Sequence, residues 1–152
     1  MIIRKMKSSE IDLVSELAIR SKAYWRYLPE FMKSCEAELT IQENKFNDKN
    51  FIFFVAELEH FILGFYTLEK LSKTDFELDA LFVEPQKIGK GIGKKLLTHA
   101  KKIATKLGAK TLRIQGDPHA EKFYLANGAK LIGKEESKSI TGRFLPLYQI
   151  TI

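Results

Sequence analysis

Apolar residues along this chain change their period several times, and each change marks the end of one element and the start of another. Ile2 to Lys5 reads as a short strand. Ile11, Val14, Leu17 and Ala18 then recur at helical spacing behind Ser9, a residue type suited to capping a first turn. Pro29 is placed to start a second helix with Phe31, Cys35 and Leu39 on one face. Phe51 to Leu58 and Phe61 to Leu68 are two strongly apolar runs separated only by Glu59-His60, the pattern of a hairpin. Asp75 to Val83 alternates in its first half, which puts Phe76, Leu78 and Ala80 on one face and Glu77 and Asp79 on the other.

A longer helix follows from Gly91. Ile92, Leu96, Leu97, Ala100, Ile103, Ala104 and Leu107 form its apolar face, lysines take the opposite side, and Gly108 ends it. Lys110 to Gln115 reads as a strand, and Asp117 and Pro118 begin a short helix. Strands near Ala129 to Glu135 and Leu147 to Ile152 complete the order β, α, α, β, β, β, α, β, α, β, β. That order describes a mixed α/β sheet. At 152 residues, with no repeat, low-complexity segment or proline-rich linker, the chain is expected to be one domain spanning residues 1–152. A domain of that size buries roughly 68–70% of its unfolded surface and folds without staples.

The single cysteine, Cys35, has no partner, and its helical spacing with Phe31 and Leu39 suggests a core residue. No metal-ligand spacing occurs; His99 and His119 read as helix surface residues, with His119 placed to approach a ligand. The apolar run at the N-terminus is too short for a signal peptide, and no stretch approaches the roughly 18 apolar residues of a membrane span. A cytoplasmic setting is therefore expected. The net charge of +6 favours an anionic ligand. The excess is local: no acid occurs between Glu84 and Asp117.

That basic stretch surrounds three alternating glycines, Gly89, Gly91 and Gly93, at a junction of strand and helix. Without Cβ atoms the backbone there can turn sharply and present several N–H groups to one anion, where the helix dipole adds its positive end. A dinucleotide fingerprint is excluded because the third glycine comes one residue early and the next strand offers Arg113 and Gln115 rather than an acid. A Walker loop is excluded because Ile88 stands where its first glycine belongs and Lys95 where Ser or Thr belongs.

Val83-Glu-Pro-Gln-Lys-Ile-Gly-Lys-Gly-Ile-Gly93 resembles the acetyl-CoA pyrophosphate loop of the GNAT superfamily of N-acetyltransferases. Ile88 replaces the Gln or Arg usual there, which leaves the backbone donors in place. About 25 residues on, Asp117-Pro-His-Ala-Glu-Lys-Phe-Tyr-Leu-Ala-Asn-Gly-Ala129 resembles a second motif of the family, with Asp117 for its usual Asn and Ala129 for a common aromatic. The resemblance covers nearly the whole chain. It implies a mostly antiparallel sheet of six to seven strands with four helices, splayed between the strand ending near Val83 and the strand Lys110–Gln115.

It also implies a site. Leu81, Phe82 and Val83 would hold the pantetheine and polarise the thioester carbonyl, and the stretch Ile88, Gly89, Lys90, Gly91, Ile92, Gly93 and Lys94 would hold the phosphates. Asp117, Ala120, Phe123 and Tyr124 would complete the cofactor groove, Asp117 either facing the pantetheine arm or capping its helix. Glu77 is the expected general base, with Asp79 as substitute; both could equally be solvated on an open strand face. Tyr124 would protonate the departing thiolate. Tyr24, Trp25, Tyr27 and Arg143 frame the expected acceptor site, as an amine-binding box, an anion clamp or simple packing.

The leading expectation is an N-acetyltransferase using acetyl-CoA, without a metal, on a small-molecule or peptide amine, as a monomer or homodimer. The rival is an acyl-CoA sensor or partner-binding module without turnover. A nucleic-acid surface is set aside because Lys87 to Lys110 lacks base-stacking aromatics.

Overall fold

The computed structural model describes residues 1–152. Strands β1 (Ile2–Lys5), β2 (Phe51–Leu58), β3 (Phe61–Lys70), β4 (Asp75–Val83), β5 (Thr111–Gln115), β6 (Lys130–Glu136) and β7 (Phe144–Thr151) form one sheet in the order β1-β2-β3-β4-β5-β7-β6. Only the β4–β5 pair is parallel. Five α-helices accompany the sheet: α1 (Ile11–Ala23), α2 (Pro29–Leu39), α3 (Glu43–Phe46), α4 (Ile92–Lys106) and α5 (Glu121–Ala126). The one beyond the expected four is α3, a single turn too short for periodicity to reveal. No helix is long and apolar enough to cross a membrane.

Alternation on the central strands sorts the core into two layers. On β2, Phe53 and Val55 join Val14, Leu17 and Ala18 of α1, while Phe54 and Ala56 join Leu96, Leu97, Ala100 and Ala104 of α4. The sheet is thus covered on both faces, as the near-continuous apolar runs of β2 and β3 require. Their hairpin turns at Glu59 and His60, both with positive φ (50° and 71°), which matches the strand twist.

One expectation about β4 fails in a useful way. Its pairing with β3 shifts register between Thr67 and Leu68, which face Ala80 and Leu78 and leave Asp79 as an extra residue. This bulge reverses the alternation, so Ala80 and Phe82 pack on the α1 side while Leu81 and Val83 pack on the α4 side. Phe76, Leu78 and Ala80 therefore do not share a face. Pairing with β5 stops at Leu78–Ile114, although β4 continues along β3 to Val83. The two parallel strands are splayed from Asp79 onward, and β4 has no strand neighbour on that side.

Two smaller expectations are corrected. Ser9 does not cap α1; it lies inside a 3₁₀ turn, Ser8–Glu10, whose N-cap is Lys7, and the Glu10 carboxylate accepts from the Lys7 N–H at 2.8 Å. Strand β7 begins at Phe144 rather than near Leu147. Pro146 disguised its start, since proline donates nothing to a ladder. It is tolerated one residue beyond the last β5 pair, Gln115–Leu147, where its carbonyl accepts from the Gly116 N–H at 3.0 Å.

Behind the splay the sheet is tight. A Cβ on Gly64 would lie 2.8 Å from the Phe82 carbonyl oxygen and 3.0 Å from Leu96. Gly64→Ala is expected to lower stability by about 1–3 kcal/mol, the usual penalty of overpacking. Urea unfolding should show a lower midpoint at unchanged slope.

Candidate active site

A groove of about 960 Å³ passes through the splay and joins the glycine turn to the α1–α2 face of the sheet. At the glycine end, Gly89 and Gly91 have φ of +84° and +85°, and a Cβ on either would meet nothing. Gly91 is the N-cap of α4, whose first turn carries neither a side-chain cap nor an acid. Its opening N–H groups therefore lack helical acceptors, the local arrangement that receives an anion. Gly93 has a separate reason to be glycine: its Cβ would sit 3.3 Å from the Phe123 ring. Ile88, Lys87 and Lys94 line the groove here. Lys90 is exposed and outside the lining, and Ile92 turns its side chain into the core under α4, so neither of these expected side chains faces the groove.

Leu81, Phe82 and Val83 line the next part, opposite Ala120, Phe123 and Tyr124. Tyr124 is buried, with ring contacts to Phe123 and Tyr148 at centroid distances of 5.2 and 5.6 Å. Burial, with Asp117 and Tyr148 nearby, raises its hydroxyl above the ordinary tyrosine range, so it carries its proton at neutral pH.

Asp117 does not face the groove as a free acceptor. Its carboxylate accepts from the His119 N–H at 2.9 Å, Lys22 Nζ at 2.8 Å and the Tyr27 hydroxyl at 2.7 Å. Burial alone would raise this carboxyl, but the Lys22 ammonium and these donors hold it well below the usual carboxylate range. Asp117 thus caps its turn and also ties the α1–α2 loop to α5. Trp25 stacks on His119 at 5.0 Å, and the Arg143 guanidinium lies 4.7 Å from the centre of the Phe31 ring. Of the expected acceptor residues, Trp25 and Arg143 line the groove. Tyr27 is committed to Asp117 and to stacking on Phe31 at 4.2 Å, and Tyr24 is exposed and packs edge-on against Trp25.

Glu77 is only 7% exposed although it lies opposite the core face of β4, so it is not a solvated strand residue. It makes no hydrogen bond, and its nearest cation is Lys138 Nζ at 3.7 Å. Burial raises its carboxyl above the ordinary range; Lys138 opposes the rise, and the neighbouring Asp79 and Glu69 add to it. Carboxylate oxygens of Glu69, Glu77 and Asp79 lie within 4.8 Å of one another, and Lys45 holds Asp79 at 2.8 Å. Glu69, Lys45 and Lys138 belong to no motif, and sequence reasoning missed them. Cross-strand pairing places Glu69 opposite Glu77, whereas α3 and the β6–β7 loop bring in the two lysines. His99 was also misjudged as a surface residue: its Nδ1 lies 2.9 Å from the hydroxyl of the fully buried Tyr66.

The sequence matches the family model of the acetyltransferase (GNAT) domain over residues 49–128. The chain belongs to the GNAT family. No curated protein matches it significantly by sequence. Among solved structures, PaiA N-acetyltransferase from Thermoplasma acidophilum, in complex with coenzyme A, superposes with a TM-score of 0.81 at 23% identity, covering 99% of this chain and 98% of that one. The ribosomal-protein-S18-alanine N-acetyltransferase from Escherichia coli gives 0.74 at 15% identity, covering 99% and 93%. The aminoglycoside 6'-N-acetyltransferase from Enterococcus faecium gives 0.70 at 18%, covering 99% and 97%. At such identities the likeness is one of fold.

The matched GNAT region runs from just before β2 to just after α5, so it contains the bulge, the glycine turn and Tyr124. Outside it lie Lys22, Lys138 and Arg143, which line the groove, and Tyr27, which donates to Asp117.

The Asp117 network has a pH signature. Its folded-state pKa is depressed, so its contribution to stability is complete above the unfolded value and is lost as pH falls through the folded one. Asp117→Asn is expected to lower stability by about 1–3 kcal/mol at pH 7, and the deficit should shrink progressively below about pH 4. Thermal unfolding between pH 7 and 3 measures both.

Proposed function

We propose that this GNAT protein transfers the acetyl group of acetyl-CoA to a primary amine of a small molecule or peptide, by direct attack while both substrates are bound. Residues 1–152 act together as one acetyltransferase domain in this reading. The observation that carries it is the continuity of one groove, which links the uncapped amides of α4 to the buried Glu77, with Tyr124 in its wall.

The residues have separable tasks. The amides after Gly89 receive the pyrophosphate, and Lys87 and Lys94 add positive charge. Backbone groups of Leu81 to Val83, freed from β5 by the splay, hold the pantetheine and orient the thioester carbonyl. Glu77, its carboxyl raised by burial, takes a proton from the incoming ammonium. The neutral nitrogen then bonds to the acetyl carbon as the carbon–sulfur bond breaks. Tyr124, protonated at neutral pH, donates its proton to the departing sulfur and regains one from the acylated nitrogen, which must shed a second proton to become an amide. The products are an amide and a free thiol, with the first proton left on Glu77 to pass to solvent. Asp79 is engaged by Lys45 at 2.8 Å and is therefore less available to the incoming amine.

Acetyl-CoA at about 100 times its dissociation constant should stabilise the fold by ~2.7 kcal/mol, and amines should release thiol. Stabilisation without thiol release from any amine would favour the sensor reading, and no stabilisation would remove the proposal. Glu77→Gln and Tyr124→Phe should each lower kcat by roughly 10²–10⁴ while leaving cofactor stabilisation intact. Activity of the unmodified enzyme should rise with pH through a group titrating above the ordinary carboxylate range, because the base must be ionised. Glu77→Gln should remove that limb.

A further inference from the structure

Only two fully buried side-chain polar atoms lack a hydrogen-bond partner, Arg113 Nε and the Tyr148 hydroxyl. Arg113 still engages Glu135 through Nη2 at 2.9 Å, whereas the hydroxyl is the one polar group that Tyr148 has. A buried O–H without an acceptor is costly, and phenylalanine would fill the same space without that cost. Packing does not call for the oxygen either, since Tyr148 sits among Leu112, Ile114 and Ala129 in the core layer on the α4 side of the sheet.

The neighbour of this unspent donor is Tyr124. Tyr148 on β7 pairs with Ile114 on β5, and Gly116 lies just past the end of β5. A Cβ on Gly116 would lie 2.9 Å from Cε2 of Tyr148 and 3.2 Å from both Cδ2 and Cε2 of Tyr124. In each ring Cε2 is bonded to the carbon that carries the hydroxyl, so the hydroxyl ends of the two tyrosines converge over Gly116. The ring centroids are 5.6 Å apart. The two hydroxyls do not bond each other directly, because that of Tyr148 has no partner in the protein.

When Tyr124 protonates the departing sulfur it becomes a phenolate in a buried wall, and a charge formed there needs a donor. Building on the acetyltransferase reading, we propose that Tyr148 is a positioning residue for Tyr124, its hydroxyl donating to a water that in turn donates to the Tyr124 oxygen. The bridge occupies a lone pair of Tyr124, which leaves the Tyr124 proton directed at the sulfur, and it stabilises the phenolate until a proton returns. No bond is made or broken at Tyr148.

Experiments on the full chain separate this role from packing. Tyr148→Phe removes only an unpartnered oxygen, so its thermal midpoint should be unchanged or higher. Thiol release from acetyl-CoA, with n-butylamine and a short peptide with a free N-terminal alanine as acceptors, should show kcat lowered about tenfold and KM changed less than about twofold. In a Tyr124→Phe background the same substitution should alter kcat by less than about twofold, because no hydroxyl remains to be served. Equal losses in both backgrounds, or no loss in either, overturn the inference and leave the transferase reading standing. A crystal structure with CoA bound should show a water within about 3.2 Å of both hydroxyls. Its absence overturns the bridge whatever the turnover. The water without thiol release from any amine would count against the transferase, and with it against a role for the bridge in transfer.

Discussion

Pairing between β4 and β5 ends after four residues because Asp79 is one residue too many for the β3–β4 ladder. The bulge bends β4 away from its parallel neighbour and exchanges the faces of everything that follows. The groove through the sheet, the free backbone of Leu81 to Val83 and the turning of Ala80 and Phe82 toward α1 all follow from that insertion. Gly64 is its counterweight: the absence of a side chain there lets β4 stay close to β3 and α4 while parting from β5.

The splay leaves β4 with opposite electrostatic surroundings at its two ends. Its C-terminal end runs into a turn whose amides, helix dipole and lysines favour an anion. Its bulged middle carries carboxylates crowded among others, where burial and like charge raise Glu77. A CoA thioester and a cationic amine would thus approach from ends of matching charge. The tyrosine in the wall is neutral for the same reason that Glu77 is perturbed, since burial disfavours whichever form is charged. Asp117 shows the converse. Supplied with an ammonium, a hydroxyl and a backbone donor, a buried carboxylate becomes strongly acidic and serves as a tie between α1, the following loop and α5.

Much of this was legible along the chain. The glycine spacing excluded two phosphate-binding arrangements, the pattern at Asp117 to Ala129 selected the family, and periodicity placed β2, β3, β4 and α4. Less legible were features that arise from residues distant in sequence. Lys22, Lys138 and Glu69 have no local signal, because their partners are Asp117 and Glu77 on other elements. The bulge at Asp79 was invisible because the continuous apolar run Ala80 to Val83 after it reads the same whichever face each residue takes, and the slip is defined by Thr67 and Leu68 opposite.

Local chemistry and spacing along the sequence thus determined the elements, the anion-binding turn and the candidacy of Glu77 and Tyr124. These depend on backbone freedom, helix dipoles and side-chain type over a few residues. Tertiary structure decided which carboxylate is buried without a donor, which is tied down, and which aromatics face the groove. Those properties are set by burial and by charges brought together across the sheet, and no short stretch of sequence contains them.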